Sequence, residues 1–205
     1  MTPQELLDED DRLLEARQES LRLWEPETPF VVLGRSCRLE DNVRQQACQA
    51  GGIPILRRST GGGTVLQAPG CLNFTYILNL EARPALRHVA NSYCAILKAL
   101  IENLALPGLS IADSDLLYNG RKVSGNAQRR IPNWLLHHGT LLYALDPALV
   151  TRYLKEPPRQ PAHRAGRTHA DFLGTLPLPV TELRNRITLF SETDSKKDCS
   201  FRLLS

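Results

Sequence analysis

Residues 57–73 read Arg57-Arg58-Ser59-Thr60-Gly61-Gly62-Gly63-Thr64-Val65-Leu66-Gln67-Ala68-Pro69-Gly70-Cys71-Leu72-Asn73. Two guanidinium groups lead into three consecutive glycines, and a β-prone segment follows. A glycine backbone can approach a phosphate or carboxylate closely, because no Cβ intervenes and positive φ is free. Adjacent arginines add forked donors for the same anion. The chemistry this allows is anion binding at a backbone cradle. The competing reading is a plain glycine turn beside a solvated arginine pair.

A second constellation lies in residues 114–143. Asn119-Gly120 between two β-like runs predicts a type I′ hairpin. A two-residue loop pairs Tyr118 with Arg121, Leu117 with Lys122, and Asp115 with Ser124. Lys122, Ser124, Asn126 and Gln128 then alternate with Val123, Gly125 and Ala127, placing four polar side chains on one face. With residues 129–133 as the next turn, the simplest register sets Ser124 against His138 and Lys122 against Thr140. A one-residue slip exchanges His138 for His137. An exposed polar face would need no glycines at both Gly125 and Gly139 in paired strands, so the pattern fits a cavity floor better.

These groups need a scaffold. Residues 3–18 read as an opening helix, and 21–25 and 30–34 as short strands around a Pro26–Pro29 turn. Residues 40–50 resemble a helix stopped by Gly51-Gly52. Residues 53–56 form a strand delivering Arg57 and Arg58 to the glycine loop, and 72–80 another strand. The 3.6-residue apolar period from Leu86 to Leu104 predicts a core helix over 84–104 that carries a structural Cys94. Asp146-Pro147 opens a helix over 146–155. A Pro- and Arg-rich loop follows at 157–167, then a helix around 179–188 and a polar tail from Ser191.

The chain has 205 residues, enough for one well-buried domain, with 42% hydrophobic and 23% charged residues. A net charge of +3 is too small to argue for nucleic acid or a membrane surface. Acidic residues gather before residue 16 and basic ones after 120, mostly as solvated surface. The five cysteines (37, 48, 71, 94, 199) have no metal-ligand spacing, and such a scattered set suits reduced thiols. His163 and His169 lack a third partner for zinc. With no secretory h-region or spanning run, a cytoplasmic location is expected.

Taken together, RRSTGGGTVLQAPGCLNF, SDLLYNGRKVSGNAQRR and HHGTLLY resemble the lipoate–protein ligase family, within the biotin/lipoate ligase superfamily. The likeness runs from about residue 4 to residue 173. It implies an α+β fold: a mixed, mostly antiparallel sheet flanked by helices, like the catalytic domain of class II tRNA synthetases. Residues 1–190 would form a single catalytic domain, and 191–205 a polar tail with no accessory domain. The implied activity is activation of lipoic or octanoic acid with ATP and Mg²⁺, followed by transfer to a lysine of a lipoyl carrier domain. Arg58, Thr60 and Gly61, Gly62 and Gly63 fall where the family lines the acyl-adenylate site. Gly63, Thr64, Val65 and Leu66 would meet nucleotide through the backbone. Lys122 falls on the family's essential lysine, with Asp115 and His138 beside the same pocket; Ser124 and Thr140 join them through the register above. A fixed cation suits the step, because two anions must be brought together, and losing such a group costs ~10²–10³ in rate. Burying an eight-carbon chain is worth about 5 kcal/mol at ~0.8 kcal/mol per methylene, with Leu66, Leu117 and Leu141 as candidate walls. Arg164, Arg167 and His169 could touch phosphate or an acidic carrier, or simply form a solvated loop.

The sequence departs from the family at Gln67, usually His, and at Cys71, usually Asn. That stretch leans toward octanoyl carrier-protein transferases, which use a cysteine and no ATP. Their catalytic cysteine belongs to segments without a counterpart here, so Cys71 is expected to be structural. Three readings stand: an ATP-dependent ligase, whole or as half of a bipartite enzyme; an ATP-independent acyltransferase; and a non-catalytic lipoyl-binding relative.

Overall fold

The computed structural model describes residues 1–187. The expected tail at 191–205, with Cys199, lies outside them. The elements in chain order are α1 (Pro3–Ala16), β1 (Ser20–Trp24), β2 (Phe30–Leu33), α2 (Leu39–Asn42), α3 (Gln45–Ala50), β3 (Ile55–Arg57), β4 (Val65–Gln67), β5 (Cys71–Asn79), α4 (Val89–Leu104), β6 (Leu109–Ala112), β7 (Asp115–Tyr118), β8 (Arg121–Ile131), β9 (Trp134–Leu142), α5 (Pro147–Tyr153), α6 (His169–Phe172) and α7 (Val180–Arg186). A six-stranded antiparallel sheet runs β1-β5-β9-β8-β7-β6, and a small mixed sheet runs β3-β2-β4. The α+β architecture is the one expected. No helix among the described residues is long and apolar enough to cross a membrane.

The two faces of the large sheet are buried differently. On one, Leu72, Phe74, Tyr76 and Leu78 of β5 pack with Leu135 and Leu141 of β9 against Ile96, Leu97 and Leu100 of α4. On the other, Leu14 of α1 covers Ile77 and Leu136. A second core joins the small sheet to α3 and α5 through Val31, Leu66, Cys48, Val150 and Tyr153. The space between the small sheet and the large one houses the site. Helix α1 starts where its chemistry dictates: Pro3 occupies the first turn, and Thr2 and Glu5 form a reciprocal capping box.

Four expectations are corrected. The helix over 40–50 is two helices, because Val43 is extended and bridges to Leu154. The helix over 84–104 begins as a 3-10 turn at Pro84–Arg87, and extended His88 restarts it as α4. The second hairpin turns on two residues, Pro132 and Asn133, so Arg129 and Arg130 lie in β8 and Ile131 faces Trp134. The β8–β9 register is therefore offset by three: Ser124 faces Leu141, Gly125 faces Thr140 and Ala127 faces His138.

The Asn119-Gly120 turn forms as expected, with positive φ at both residues and Tyr118 opposite Arg121. Beyond Leu117–Lys122, however, a bulge at Val123 pairs Leu116 with Ser124 and Asp115 with Gly125. Such an extra residue reverses which face the following side chains occupy. Ser124, Asn126 and Gln128 do share a face, as the alternation implied, but it is the α4 face. Lys122 alone stays on the opposite side.

Candidate active site

Strand pairing lays two rows of side chains across the face opposite α4. One row is Arg22–Thr75–His138–Ala127, and the next is Trp24–Asn73–Thr140–Gly125–Asp115. Above them lies a cavity of about 370 Å³. Gly62, Gly63, Thr64, Val65 and Leu66 line its roof, and Lys122 and Asp115 lie at the β8 side. From β8 to β1 the floor spans three strand spacings, about 14 Å.

The glycine loop is held by its own arginines. Arg58 donates through Nε to Thr60 Oγ1 (2.8 Å) and through Nη2 to the Gly61 and Gly63 carbonyls (2.7 and 2.8 Å). Burial pushes its guanidinium down to about 10, still cationic at neutral pH. Arg57 donates to the carbonyls of Gly34, Arg35 and Cys37. The pair therefore staples backbone first, and only Arg58 reaches the cavity wall. The loop sits so close to Gly34 that a Cβ there would lie 2.0 Å from the Gly62 oxygen. Gly62 has φ +85°, open only to glycine without strain. The Thr64 hydroxyl is buried on this loop without a partner.

His138 ties the loop to helix α1. Its Nε2 lies 2.9 Å from Thr60 Oγ1 and its Nδ1 lies 3.1 Å from Asp10 Oδ2. A carboxylate only accepts, so Nδ1 carries a proton. Asp10 is buried, which works to raise its carboxyl, but the His138 hydrogen bond and the charges of His138 and Arg22 outweigh this and hold it below the usual range. Arg22 Nη1 reaches its other oxygen at 2.5 Å. Next to it, Asp11 accepts from Ser59 Oγ (2.5 Å) and Arg129 Nη1 (2.7 Å). The acidic run read as solvated surface thus clamps the loop through Asp10 and Asp11. Weak periodicity in α1 gave no sign of which acids turn inward.

Lys122 Nζ stands 2.9 Å from Asp115 Oδ1. Its stem lies over Gly125, the residue the bulge brings opposite Asp115. Thr140 lines the cavity but donates to Asn73 Oδ1 (2.6 Å), inside a closed network with Gln67. Gln67 therefore has a polar partner set of its own. Leu66 lines the cavity along with Leu142, Leu145 and Val150, whereas Leu141 belongs to the α4 core and Leu117 lies outside the lining.

The expected site residues thus separate. Lys122, Asp115, Arg58, Gly62, Gly63, Thr64, Val65, Leu66, His138 and Thr140 converge on one cavity. Thr60 sits just behind the lining, bonded to His138, and Gly61 contributes a carbonyl to Arg58. Ser124 is turned away, wholly buried and accepting from Asn126 on the α4 side. Arg164 lines the same cavity, almost wholly buried, paired with Glu156 and stacked over Phe172. His163, absent from the expected set, bonds Asp115 Oδ2 through Nε2 at 3.0 Å. Cys71 is fully buried outside the lining, and burial drives its thiol up to about 12. Among the described residues no group of three His, Cys, Asp or Glu could hold a metal ion.

Comparison with known proteins agrees with this architecture. The chain is 25% identical over 185 residues to lipoate–protein ligase 1 of Staphylococcus aureus, covering 86% of this chain and 56% of that protein. It thus spans about half the length of that relative. Among solved structures, the bi-partite lipoate protein ligase of Thermoplasma acidophilum superposes with a TM-score of 0.72 at 21% identity, over 88% of this chain and 74% of that one. A lipoate-protein ligase A bound with ATP gives 0.70, also at 21% identity, over 88% and 75%. At that identity the two superpositions speak to the fold. The family described as the lipoyl protein ligase A/B catalytic domain matches residues 2–184, and the chain belongs to it.

Proposed function

We propose that residues 1–190 act as the catalytic unit of an ATP-dependent lipoate or octanoate ligase that acylates a lysine of a lipoyl carrier domain. The observation that carries this reading is that one cavity holds both the glycine loop and Lys122. A carboxylate oxygen of the fatty acid attacks the α-phosphorus of ATP, supplied as its Mg²⁺ complex, and pyrophosphate leaves. The carrier amine then attacks the acyl carbonyl, AMP departs with the bonding pair, and the nitrogen loses its proton. Lys122 supplies a compact cation where carboxylate and phosphate charges meet. The glycine loop offers backbone at close range, and Thr64 an unengaged hydroxyl. The leucines of the cavity wall take the acyl chain.

The ATP-independent transferase needs a thiolate in the cavity. Among the described residues no cysteine lines it, and the Cys71 thiol is held protonated. A second polypeptide, as in the bi-partite Thermoplasma acidophilum ligase, is compatible with the ligase reading. The test is calorimetric titration with lipoate and ATP–Mg²⁺, with pyrophosphate assayed alongside. Lipoate binding together with pyrophosphate release that falls ~10²–10³ in Lys122→Ala is expected. Absence of both would overturn the reading, as would octanoyl transfer between carriers without ATP.

A further inference from the structure

The segment from Lys155 to Leu173 crosses the Lys122 end of the cavity, with Pro157, Arg159, Pro161, His163 and Phe172 in its lining. Its C-terminal part is anchored through backbone. Arg167 Nη1 donates to the Gly120 carbonyl, and the Gly174 N–H to that of Lys122. Among the described residues 157–163, His163 alone makes a side-chain hydrogen bond.

Two carboxylates flank that ring. His163 Nε2 lies 3.0 Å from Asp115 Oδ2, and Nδ1 lies 3.2 Å from Asp113 Oδ2. Both partners belong to the β6–β7 hairpin region, and a carboxylate only accepts, so Nε2 donates to Asp115 while Nδ1 stands beside Asp113. Asp115 is buried, and its other oxygen holds Lys122 Nζ. The ring also rests 5.7 Å from that of Phe172, and Arg167 donates to the His163 carbonyl. The imidazole therefore does two things at once. It pins the middle of the strap, and it fixes the carboxylate that aims the lysine.

We propose that His163 is a positioning residue: it latches the strap over residues 157–168 to Asp113 and Asp115, holds Lys122 in line, and keeps the acyl-adenylate in the cavity until a carrier amine arrives. The inference rests on the ligase reading. An acyl-phosphate anhydride exposed to water is hydrolysed to acid and AMP, so a closed site protects the intermediate. With the latch removed, adenylate forms but escapes or hydrolyses, and turnover uncouples from transfer.

The test compares wild type, His163→Ala and His163→Gln, whose shorter-reaching neutral amide can still donate to Asp115. Pyrophosphate and acylated carrier are counted in the same reaction, with free acyl-adenylate and AMP resolved by chromatography. A ratio near one in wild type, rising several-fold in His163→Ala and less in His163→Gln, is expected. Trypsin cleavage after Arg159 should accelerate in the same order. A ratio held near one in His163→Ala overturns retention of the intermediate, and unaltered cleavage overturns the latch. If wild type neither binds lipoate nor releases pyrophosphate, the ligase reading falls instead, and the cleavage comparison still decides the latch.

Discussion

Lys122 lies across Gly125 so closely that a methyl group on the glycine would stand 3.0 Å from the lysine Nζ and 3.1 Å from its Cε. The bulge at Val123 creates this contact, since it brings Gly125 rather than Ser124 opposite Asp115. A Gly125→Ala substitution meets only the flexible end of a side chain, so stability should change little. The lysine, however, must move off Asp115. A displacement of about 1 Å is enough to cost ~10²-fold in rate, so adenylation should fall by that order while the melting temperature holds. Steady-state pyrophosphate release beside a thermal melt measures both.

Asp10 joins Arg22 to His138, and through His138 to Thr60 of the glycine loop. Asp10→Asn keeps the shape but leaves the part-buried Arg22 charge without its carboxylate. Breaking one side of a fully buried pair costs about 3–5 kcal/mol, an upper bound here because Arg22 keeps some contact with solvent. The urea midpoint should drop accordingly, and KM for ATP should rise because the loop has lost its tether.

His137 is wholly buried, and that burial, reinforced by His138 and Arg130, drives its imidazole down to about 3. Free in the unfolded chain it titrates near 6.5. Between those values the unfolded chain binds a proton that the folded chain refuses, so stability falls as pH drops through that window. Asp10, whose folded carboxyl is held below its ordinary value, adds a further loss at the acid end, as the folded carboxylate is finally protonated. Urea midpoints measured from pH 7 to pH 4 should decline steadily. A His137→Gln variant should show a flatter decline from a lower starting stability.

Cys71 packs in the core that joins the small sheet to α5, away from the cavity. Cys71→Ala should lose about 1 kcal/mol of stability through the small void it leaves and keep its ligase turnover. Iodoacetamide applied to the folded protein should leave Cys71 unmodified by mass spectrometry. Loss of acyl transfer in the variant with its fold intact would reinstate a thiol mechanism.

Local signals in the sequence were enough for several elements. Asn119-Gly120 needs two residues with positive φ, and few pairs supply them, so its turn and the first two cross-strand pairs were legible. The apolar period of α4 and the glycine loop were legible for the same reason: each depends on residues close in the chain. The second hairpin was not. Arg129 and Arg130 look like turn residues, yet they stay in the strand. Their guanidinium groups find Asp11 in one case and Ser92 with the Leu86 carbonyl in the other.

Through the resemblance its motifs carry, the sequence pointed to Lys122, the glycine loop and the HHGTLLY strand around one pocket, and to an α+β sheet as the scaffold. Only the tertiary structure decided which side chains face that site. One extra residue at Val123 inverts the parity of a strand whose side-chain period is two. It sends Ser124 into the α4 core while leaving Lys122 over the cavity. The partners that fix the machinery, Asp10 to His138 and His163 to Asp115, are separated by 128 and 48 residues. No short-range pattern encodes such contacts; they exist because burying charged and polar groups is costly unless the fold brings them partners from elsewhere in the chain.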